Sequence, residues 1–485
     1  MSKVRMALIF SSASLYGYQL LNLFFAIYIA RMLTPSELGI YAIAASITMV
    51  SGELKILGTG DYLIRQKVIS AEIVKASLGL SILVSWSIGI VLIIASSLIA
   101  EYYDYKVLKS LLLILSLSFF FSPFIAINGA LLRKEMNYKR SMIIGWSSTI
   151  TNFSLSILLI INGFSYYSLA IGVSFGIFIE LLMSYLLRSE NMQYWPSLKN
   201  VKPIVAFGTV TTLANVCKRL SKLSYDLILG KIGTAHHLAI FSRGAGFIDF
   251  LTHLVTGSLK SVALPYLAEA NTDPVNLKSA YQKATLLATS LLIPILTVAA
   301  ISGNSIIVLL FGEQWQESGS LTTNLAIWLA LSNLQPFAKE ILIARKLERE
   351  YFLLELGNLL IISAFIITGF QYGLATIAQL FIVAGGLYFI ATSFLVNKAI
   401  DFSIYEFLKV FYKNSLLTIV CGISAYFLTH VIMDEYSNAI KILSLSMIMP
   451  IIWLLTVIKL KLEILDEIHN LLKLLSVFNK KQSNR

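Results

Sequence analysis

Apolar runs of about 20 residues recur along the whole chain and are separated by short polar breaks. A helix of about 20 residues spans the hydrocarbon core of a bilayer, so each run is a candidate membrane crossing. The composition agrees, because 57% of the 485 residues are hydrophobic and only 13% are charged, which excludes a water-soluble globular protein. We therefore predict an all-α polytopic membrane protein.

The hydropathy pattern predicts about fourteen transmembrane helices. No cleavable signal peptide is expected, because the first apolar run is long and lacks a small-residue cleavage site. Cys217 and Cys421 fall inside apolar runs, so neither predicts a disulfide framework or a metal cluster, and no cofactor is predicted. The predicted helices begin near Ala7, Gly39, Ala76, Val107, Ser141, Ser165, Ile204, His237, Ala284, Ser320, Tyr351, Gly373, Phe411 and Asn438.

The loops between these helices sort into two sets by their basic residues. One set holds most of the Lys and Arg residues, including those at both chain ends. The other set holds only Arg31, Lys106, Lys109, Lys231 and Lys441. Because basic residues are retained in the cytoplasm, both termini are predicted to be cytoplasmic. The net charge of +12 is then explained by topology and by contact with anionic membrane lipids, and nucleic-acid binding is not predicted.

Two segments of the chain recur in the same order roughly 200 residues later. "ARMLTPSELGIY" from Ala30 matches "GKIGTAHHLAIF" from Gly230 at an offset of 200, and "LLRKEMNYKRSMIIG" from Leu131 matches "IARKLEREYFLLELG" from Ile343 at an offset of 212. Repeats of whole helix bundles are common in transporters. We predict two parallel six-helix lobes, 1–200 and 201–400, then two further helices in 401–460 and an amphipathic tail, 461–485, along the cytoplasmic membrane surface.

The first repeated motif also predicts a helix start. In "TPSE", Thr34 can act as the N-cap, Pro35 can occupy the first helical position and Glu37 can complete a capping box. Asp273 and Pro274 in "NTDPVN" give the same signal for a short cytoplasmic helix. These residues are predicted to be structural.

Several strings together resemble a known transporter family. They are "ARMLTPSELGIYAIA", "LGTGDYLIRQK", "LLRKEMNYK", "SYDLILGKIGTAHHLAIFSRG", "VALPYLAEANTDPVNLKSAYQKA" and "LLFGEQW". They look like the Wzx-type polysaccharide flippases of the multidrug/oligosaccharidyl-lipid/polysaccharide (MOP) exporter superfamily, closest in pattern to the WzxC-like branch. The resemblance runs from about Ala7 to about Lys459. It specifies the family and leaves the sugar open.

The resemblance implies a fold, a substrate and a location. Lipid II flippases and multidrug MATE exporters have a similar architecture, with two six-helix lobes around a central cavity. The implied activity moves an undecaprenyl-diphosphate-linked oligosaccharide from the cytoplasmic to the periplasmic leaflet of the bacterial inner membrane, for O-antigen, capsule or exopolysaccharide synthesis. The implied partners are this lipid-linked substrate, membrane lipids, and the polysaccharide polymerase and export machinery.

The predicted crossing from Ile204 to Gly230 is unusual because it carries charges. Its polar residues fall in one arc of about 100° on a helical wheel, and leucines cover the opposite side. A central charge facing lipid costs about 2.5–3.5 kcal/mol even on the translocon scale, so the polar face must meet protein or water. The polar residues are Thr211, Asn215, Lys218, Arg219, Lys222 and Asp226.

We predict that this face lines a water-filled cavity between the two lobes. Cations neutralise phosphate, and aromatic rings stack on sugars, so a lipid diphosphate with attached sugars suits such a wall. The following helix contributes two cations, and the first helix contributes a milder polar stripe. The predicted substrate-binding residues are Arg31, Lys218, Arg219, Lys222, Arg243, Lys260, Asn22 and Tyr18.

A transport cycle needs an energy source, and the sequence has no ATP-binding motif. Coupling to H+ or Na+ is therefore predicted. Asp226 is the first candidate because it shares the cationic face, and Glu53 is the second. Two structural interpretations stay open: Lys222 can pair with Asp226 four residues on, and Glu53 can pair with Lys55.

Two other function classes stay open beside the flippase, which is predicted not to be an enzyme. A multidrug exporter would favour an acidic cavity for cationic drugs, whereas the excess within these crossings is basic. A membrane enzyme of polysaccharide assembly needs a catalytic surface, but the loops are short and lack a carboxylate or histidine cluster. His236 and His237 are adjacent at a turn, where solvation is favoured over metal binding.

Overall fold

The structure is a computed structural model that describes residues 3–55, 58–66, 68–270, 274–465 and 467. Within these ranges, the side chains at 3–15, 61, 206–211, 258–266, 268–270 and 274–275 are not described. All regular secondary structure in the described ranges is helical. The all-α fold class predicted from the apolar runs is therefore confirmed.

The chain forms sixteen α-helices in the described residues. Short 3₁₀ turns at Glu313–Trp315 and Phe370–Tyr372 and a π-helical turn at Leu428–Ile432 connect or extend them. The helices are α1 (Lys3–Met32), α2 (Pro35–Leu54), α3 (Thr59–Arg65), α4 (Ala71–Tyr103), α5 (Val107–Lys134), α6 (Tyr138–Ile161), α7 (Tyr167–Leu186), α8 (Lys202–Ile232), α9 (Ala235–Ala270), α10 (Pro274–Phe311), α11 (Gln316–Ser332), α12 (Ala338–Ala344), α13 (Glu348–Gly369), α14 (Leu374–Ile400), α15 (Ile404–Phe427) and α16 (Asn438–Leu460).

Ten helices in the described residues are long and apolar enough to cross a membrane. They are α4, α5, α6, α7, α9, α10, α13, α14, α15 and α16. Many apolar side chains on these helices are exposed, as a lipid-facing surface requires; Ile94 and Phe394, for example, are 72% and 70% exposed. The chain is a multi-pass membrane protein. The remaining predicted crossings fall on α1, α2, α8 and α11, and the total of fourteen stays a prediction.

The helices group into two compact units, which we call unit 1 and unit 2. Unit 1 comprises Met1–Ser242 and Glu355–Gln371, and unit 2 comprises Arg243–Leu354 and Tyr372–Arg485. Unit 1 therefore includes α8 together with the first two turns of α9 and most of α13. The predicted lobes 1–200 and 201–400 divide the chain elsewhere, and they stay a prediction.

The two sequence repeats correspond to recurring turns. The Thr34 hydroxyl accepts a hydrogen bond from the Glu37 amide at 3.3 Å, and the Thr234 hydroxyl accepts one from the His237 amide at the same distance. Thr34 and Thr234, which are 200 residues apart, are therefore equivalent N-caps. α2 starts at Pro35, and α9 starts at Ala235. The capping box predicted for "TPSE" is confirmed, because Glu37 also accepts from the Thr34 amide.

The second repeat is shifted in the structure by two residues. Met136 and Lys346 both adopt positive φ, at 55° and 58°. The amides of both residues and of their neighbours form the same pattern of hydrogen bonds to the preceding helix turn. The equivalent turns are thus 210 residues apart, so the offset of 212 is wrong. The offset of 212 aligns the Arg-Lys pair of one segment with the Arg-Lys pair of the other. In the structure, these two pairs occupy different positions of their turns.

The helix start predicted at Pro274 is present, but the helix is not short. α10 continues from Pro274 to Phe311, because Leu277, Ala280 and Tyr281 are buried and extend its apolar face. Asp273, the predicted cap, lies outside the described residues. Cys217 and Cys421 are buried free thiols. The predicted tail, 461–485, is described only to its first turn and at 467.

Candidate functional site

The charged helix α8 packs antiparallel against α2 within unit 1. A Cβ atom on Gly39 would overlap the Ala235 carbonyl oxygen, and one on Gly230 would lie 2.9 Å from Ile43 Cγ1. The two glycines therefore allow close helix approach at the end where α8 turns into α9. The contact fixes the register of the two helices. Residues further along α2 consequently meet residues correspondingly earlier on α8.

The α4 C-terminus holds the same end of α8. Lys231 forms an ion pair of 2.9 Å with Asp104, which adopts left-handed backbone geometry just after α4. The Tyr103 hydroxyl donates a hydrogen bond of 3.1 Å to the Leu227 carbonyl, and the Tyr105 hydroxyl accepts one of 3.0 Å from the Ala235 amide. These contacts anchor α8 against rotation about its axis.

Arg219 and Glu53 form an ion pair between α8 and α2. Arg219 Nε and Nη2 both lie 2.8 Å from Glu53 Oε1. The Arg219 side chain is 36% exposed and the Glu53 side chain 18%. The sequence placed these two residues in different roles, one as a substrate-binding cation and the other as a coupling candidate. The structure brings them together, so a change at either residue acts on both.

Asp226 lies two turns further along α8, on the same side as Arg219, and is buried. Its Oδ2 accepts a hydrogen bond of 2.7 Å from the Ser46 hydroxyl on α2, and its Oδ1 accepts one from the Ser242 hydroxyl on α9. In the described part of the chain, Asp226 takes part in no ion pair. The helical Lys222–Asp226 pair that the sequence left open is therefore not formed. A buried carboxylate with hydroxyl partners only is suited to take up a proton or a small cation.

Lys218 is the most accessible charge on this stretch of α8, with 51% of its side chain exposed. Its ammonium lies 3.7 Å from Glu355 Oε1 on α13, and the Glu355 side chain is only 1% exposed. Lys222 lies one turn further on and is half-buried. Lys218 and Arg219 are consecutive, so they point to different neighbours, α13 and α2. The predicted cationic face is thus interleaved with three acids: Glu53, Glu355 and Asp226.

The predicted residues on α1 form local contacts in unit 1. The Asn22 amide donates a hydrogen bond of 2.8 Å to the Tyr18 carbonyl one turn earlier, and the Tyr18 side chain is 47% exposed. Phe25 stacks on Phe153 of α6 with ring centroids 4.0 Å apart. Arg31 is exposed in the last turn of α1. No described contact joins these residues to the charges of α8.

Arg243, the predicted cation of α9, has an apolar environment in unit 2. Its guanidinium carbon lies 4.8 Å from the centroid of the Phe311 ring and 4.7 Å from that of Trp315. Its Nε atom is buried and has no hydrogen-bond partner among the described residues. The described contacts therefore do not bring Arg243 together with Arg219. The side chain of Lys260, also on α9, lies outside the described residues.

Unit 1 also contains a polar cavity of about 420 Å³ that the sequence analysis missed. Lys55, Arg133 and Glu180 line it, together with hydroxyl groups from five helices. Thr59 and Ser81 hydroxyls lie 3.0 Å apart, as do those of Ser85 and Ser122, and all four line the cavity. The signal in the sequence is the spacing of Ser77, Ser81 and Ser85, which puts hydroxyls on successive turns of an otherwise apolar helix.

Comparisons with known proteins agree on a family. A model of the polysaccharide biosynthesis protein family matches residues 28–320. The chain is 20% identical over 384 residues to the teichuronic acid biosynthesis protein TuaB of Bacillus subtilis (strain 168), with 76% of this chain and 77% of that protein covered.

Solved structures agree on the fold. The lipid II flippase MurJ in an inward closed conformation superposes with a TM-score of 0.73 at 17% identity, covering 92% of this chain and 97% of that one. An inward-facing multidrug resistance MATE transporter of the MOP superfamily superposes with a TM-score of 0.55 at 17% identity, covering 82% and 94%. The family resemblance stated from the sequence is confirmed. The chain has a MurJ- and MATE-like fold and belongs to the polysaccharide biosynthesis protein family.

Proposed function

We propose that this protein is a flippase for a lipid-linked oligosaccharide. The substrate class is an oligosaccharide on undecaprenyl diphosphate, moved from the cytoplasmic to the periplasmic leaflet by alternating access. Family membership supports a polysaccharide precursor, and the role that TuaB carries in its name, teichuronic acid biosynthesis, supports a cell-envelope product. The protein acts in the bacterial inner membrane with both termini in the cytoplasm, as the distribution of basic loop residues favours.

The observation that carries this proposal is the charge arrangement on α8. α8 bears Lys218, Arg219 and Lys222 in consecutive turns. Charged side chains within a membrane helix carry a high free-energy cost of insertion, so they commonly mark a functional site. Lys218 keeps half of its side chain exposed and is only loosely paired at 3.7 Å. A diphosphate supplies the negative charge that an available ammonium and a guanidinium bind well. Hydroxyl groups of the unit 1 cavity are suited to sugar hydroxyls.

The pairing of Arg219 with Glu53 supports a coupling scheme. A phosphate group competes with the Glu53 carboxylate for the same guanidinium. A proton on Glu53 would weaken the ion pair and free Arg219 for the phosphate, whereas loss of the proton would favour release. Asp226 remains the first candidate for cation uptake, because its carboxylate is buried without a cationic partner in the described residues. We propose that H+ or Na+ drives the cycle through these two acids.

The alternatives make different demands on these residues. A multidrug exporter would use the acids to bind a cationic drug and would not need Lys218. A polysaccharide assembly enzyme would need a cluster of catalytic groups at a surface outside the membrane, and the loops of this chain are short. We propose transport without bond making or breaking.

The test is complementation of a deletion strain of the source bacterium, with polysaccharide export and membrane abundance measured together. The variant is Lys218→Gln with Lys222→Gln. The matched control is Lys231→Gln in the last turn of the same helix, where the lysine is paired with Asp104. We expect the double variant to reduce export at least tenfold at normal abundance, with accumulation of lipid-linked oligosaccharide on the cytoplasmic leaflet. Normal export by the double variant at normal abundance would overturn the proposed site.

A further inference from the structure

A second cluster of basic residues lies in unit 2, at a cavity of about 230 Å³. α10, α15 and the turn that follows α16 line this cavity. Lys409 and Lys413 are four residues apart on α15 and therefore share one face of that helix. Lys461 ends α16 in left-handed backbone geometry, where the chain reverses direction. We call this site the three-lysine cavity.

The three lysines differ from several other lysines of unit 2, which form ion pairs. Among the described residues, the ammonium groups of Lys409, Lys413 and Lys461 form no ion pair or hydrogen bond. By contrast, three other lysines of the unit are paired with glutamates at 2.8–3.0 Å. These pairs are Lys278–Glu406, Lys283–Glu467 and Lys398–Glu350. Glu463 also lines the cavity. Because the three lysines outnumber this single acid, the net charge of the cavity is positive, and an anion is the expected ligand.

Much of the remaining wall of the cavity is apolar, although Ser290, Tyr412 and Asn414 also line it. Leu286 and Val410 line it beside Leu462 and Ile464, which are 6% and 8% exposed. Leu462 and Ile464 belong to the hydrophobic cluster that joins α15 to α16. A small inorganic anion makes no favourable contact with the apolar side chains of this wall. A ligand with a charged group and an attached apolar chain can satisfy both parts of the site.

The position along α15 places the lysines at the membrane boundary. α15 and its π-helical extension form one candidate span, Ile404–Ile432, of 29 residues. That is about 43 Å of helix, against a hydrocarbon core of about 30 Å. The first few residues therefore lie in the headgroup region, and the flexible stems of Lys409 and Lys413 can reach it. Tyr405 and Tyr412, 74% and 55% exposed, fit the aromatic belt found at this depth.

We propose that the three-lysine cavity binds the phosphate headgroup of an anionic membrane phospholipid. The ammonium groups contact the phosphate, and the glycerol and first acyl carbons rest on Leu286, Leu462 and Ile464. Basic pockets between transmembrane helices bind anionic headgroups in this way. The bound lipid holds the end of α16 against α15 and α10. This site is separate from the proposed transport function and does not depend on it.

The experiment measures lipid binding by the full-length protein purified in a mild detergent. Native mass spectrometry follows retained phosphatidylglycerol or cardiolipin, with phosphatidylcholine as the neutral comparison. The test variant is the triple change Lys409→Gln, Lys413→Gln and Lys461→Gln. The matched control, Lys278→Gln, Lys283→Gln and Lys398→Gln, removes the same charge from paired lysines of the same unit. Size-exclusion profiles and thermal unfolding check that both variants fold.

We expect the test variant to bind anionic lipid about 100-fold more weakly, since each basic residue near an anionic lipid contributes roughly a fivefold factor. The control should stay within about threefold of the wild type, and phosphatidylcholine should bind weakly to all three proteins. Equal losses in both variants would show a bulk charge effect and overturn the site. Displacement of the lipid by millimolar inorganic phosphate would also overturn it, because the occupant would then be free phosphate.

If neither variant folds, photo-crosslinking replaces the comparison. Wild-type protein in nanodiscs is exposed to a diazirine-labelled phosphatidylglycerol, and the labelled peptides are mapped. Label on the peptides around 409–414 and 461–464 supports the proposal. Label spread over all basic loops, or label on these peptides from the matching phosphatidylcholine probe, contradicts it.

Discussion

α8 in unit 1 and the Arg243 region of α9 in unit 2 accommodate charge within apolar helices in different ways. The α8 charges meet polar partners: Arg219 meets Glu53 at 2.8 Å, and Asp226 meets serine hydroxyls on α2 and α9. Arg243 instead lies over the rings of Phe311 and Trp315 and leaves its Nε without a described partner.

The two arrangements depend on different features of the molecule. The α8 contacts join helices that are distant in sequence, so they require the register of α2 and α8. Each partner also has its own charge or proton to exchange, which makes the arrangement responsive to a ligand. The Arg243 contacts are made by rings that carry no charge. We infer that α8 is a site of exchange and that the Arg243 contacts chiefly stabilise unit 2.

The largest effect is expected from changing the helix register. Gly39→Val places a side chain where even a Cβ atom would overlap the Ala235 backbone, so α2 and the α8–α9 turn must separate. We expect loss of folded protein and of export, measured by membrane abundance and fluorescence-detected size exclusion. Gly386→Val on α14 is the control, since no atom lies within 4 Å of its added Cβ. Normal folding of Gly39→Val would show that the register does not depend on this contact.

The next largest effect concerns the Arg219–Glu53 pair. Arg219→Ala should lower export at least tenfold, because it removes a phosphate ligand and leaves Glu53 without its partner. The charge reversal Arg219→Glu with Glu53→Arg should restore membrane abundance, since the ion pair can form again, but not export. Complementation assays and immunoblots measure the two quantities. Restored export by the reversed pair would mean that the pair is structural only.

A smaller effect is expected at Asp226. Asp226→Asn keeps a side chain that can hydrogen-bond to Ser46 and Ser242 but cannot be ionised, so folding should be retained. We expect export to fall about fivefold or more and to lose its dependence on the transmembrane ion gradient. The control is Asp104→Asn, which removes an exposed carboxylate that pairs with Lys231 in the last turn of α8. Gradient-dependent export at the wild-type rate in Asp226→Asn would exclude it as the coupling acid.

The fold was largely predictable because its determinants are local. The length and hydrophobicity of the apolar runs predicted the helices, and the motif "TPSE" predicted that α2 starts at Pro35. The continuation of α10 through Ala284 was missed because its buried face is too short to show as a separate apolar run. The turn at Lys346 was misaligned by two residues, since matching charges carried the alignment while backbone geometry sets the equivalence.

The site was only partly predictable because its contacts are not local. The wheel placed Lys218, Arg219 and Asp226 on one polar face, and the structure places all three against protein groups. Nothing in the sequence could show that Glu53 reaches Arg219, 166 residues away, or that Glu355 meets Lys218. Arg243 was grouped with these cations by charge alone. Its aromatic neighbours lie at the end of α10 and in the turn that follows. A helical wheel shows only the faces of one helix, so it cannot predict contacts with another segment.

The smallest effect is expected at Arg243, and it tests whether this residue differs from the α8 cations. Arg243→Lys keeps the charge but loses the planar contact with Phe311 and Trp315, at a cost of about 1 kcal/mol. We expect the melting temperature to fall by one to a few degrees, measured by thermal unfolding in detergent, with export within about twofold of the wild type. Trp315→Leu is the companion variant, and the double variant should be no less stable than Trp315→Leu alone, because both changes remove the same contact. An unchanged melting temperature in Arg243→Lys, together with loss of export in Arg243→Gln at normal abundance, would contradict the distinction. Arg243 would then belong with Lys218 and Arg219 among the cations that bind the substrate.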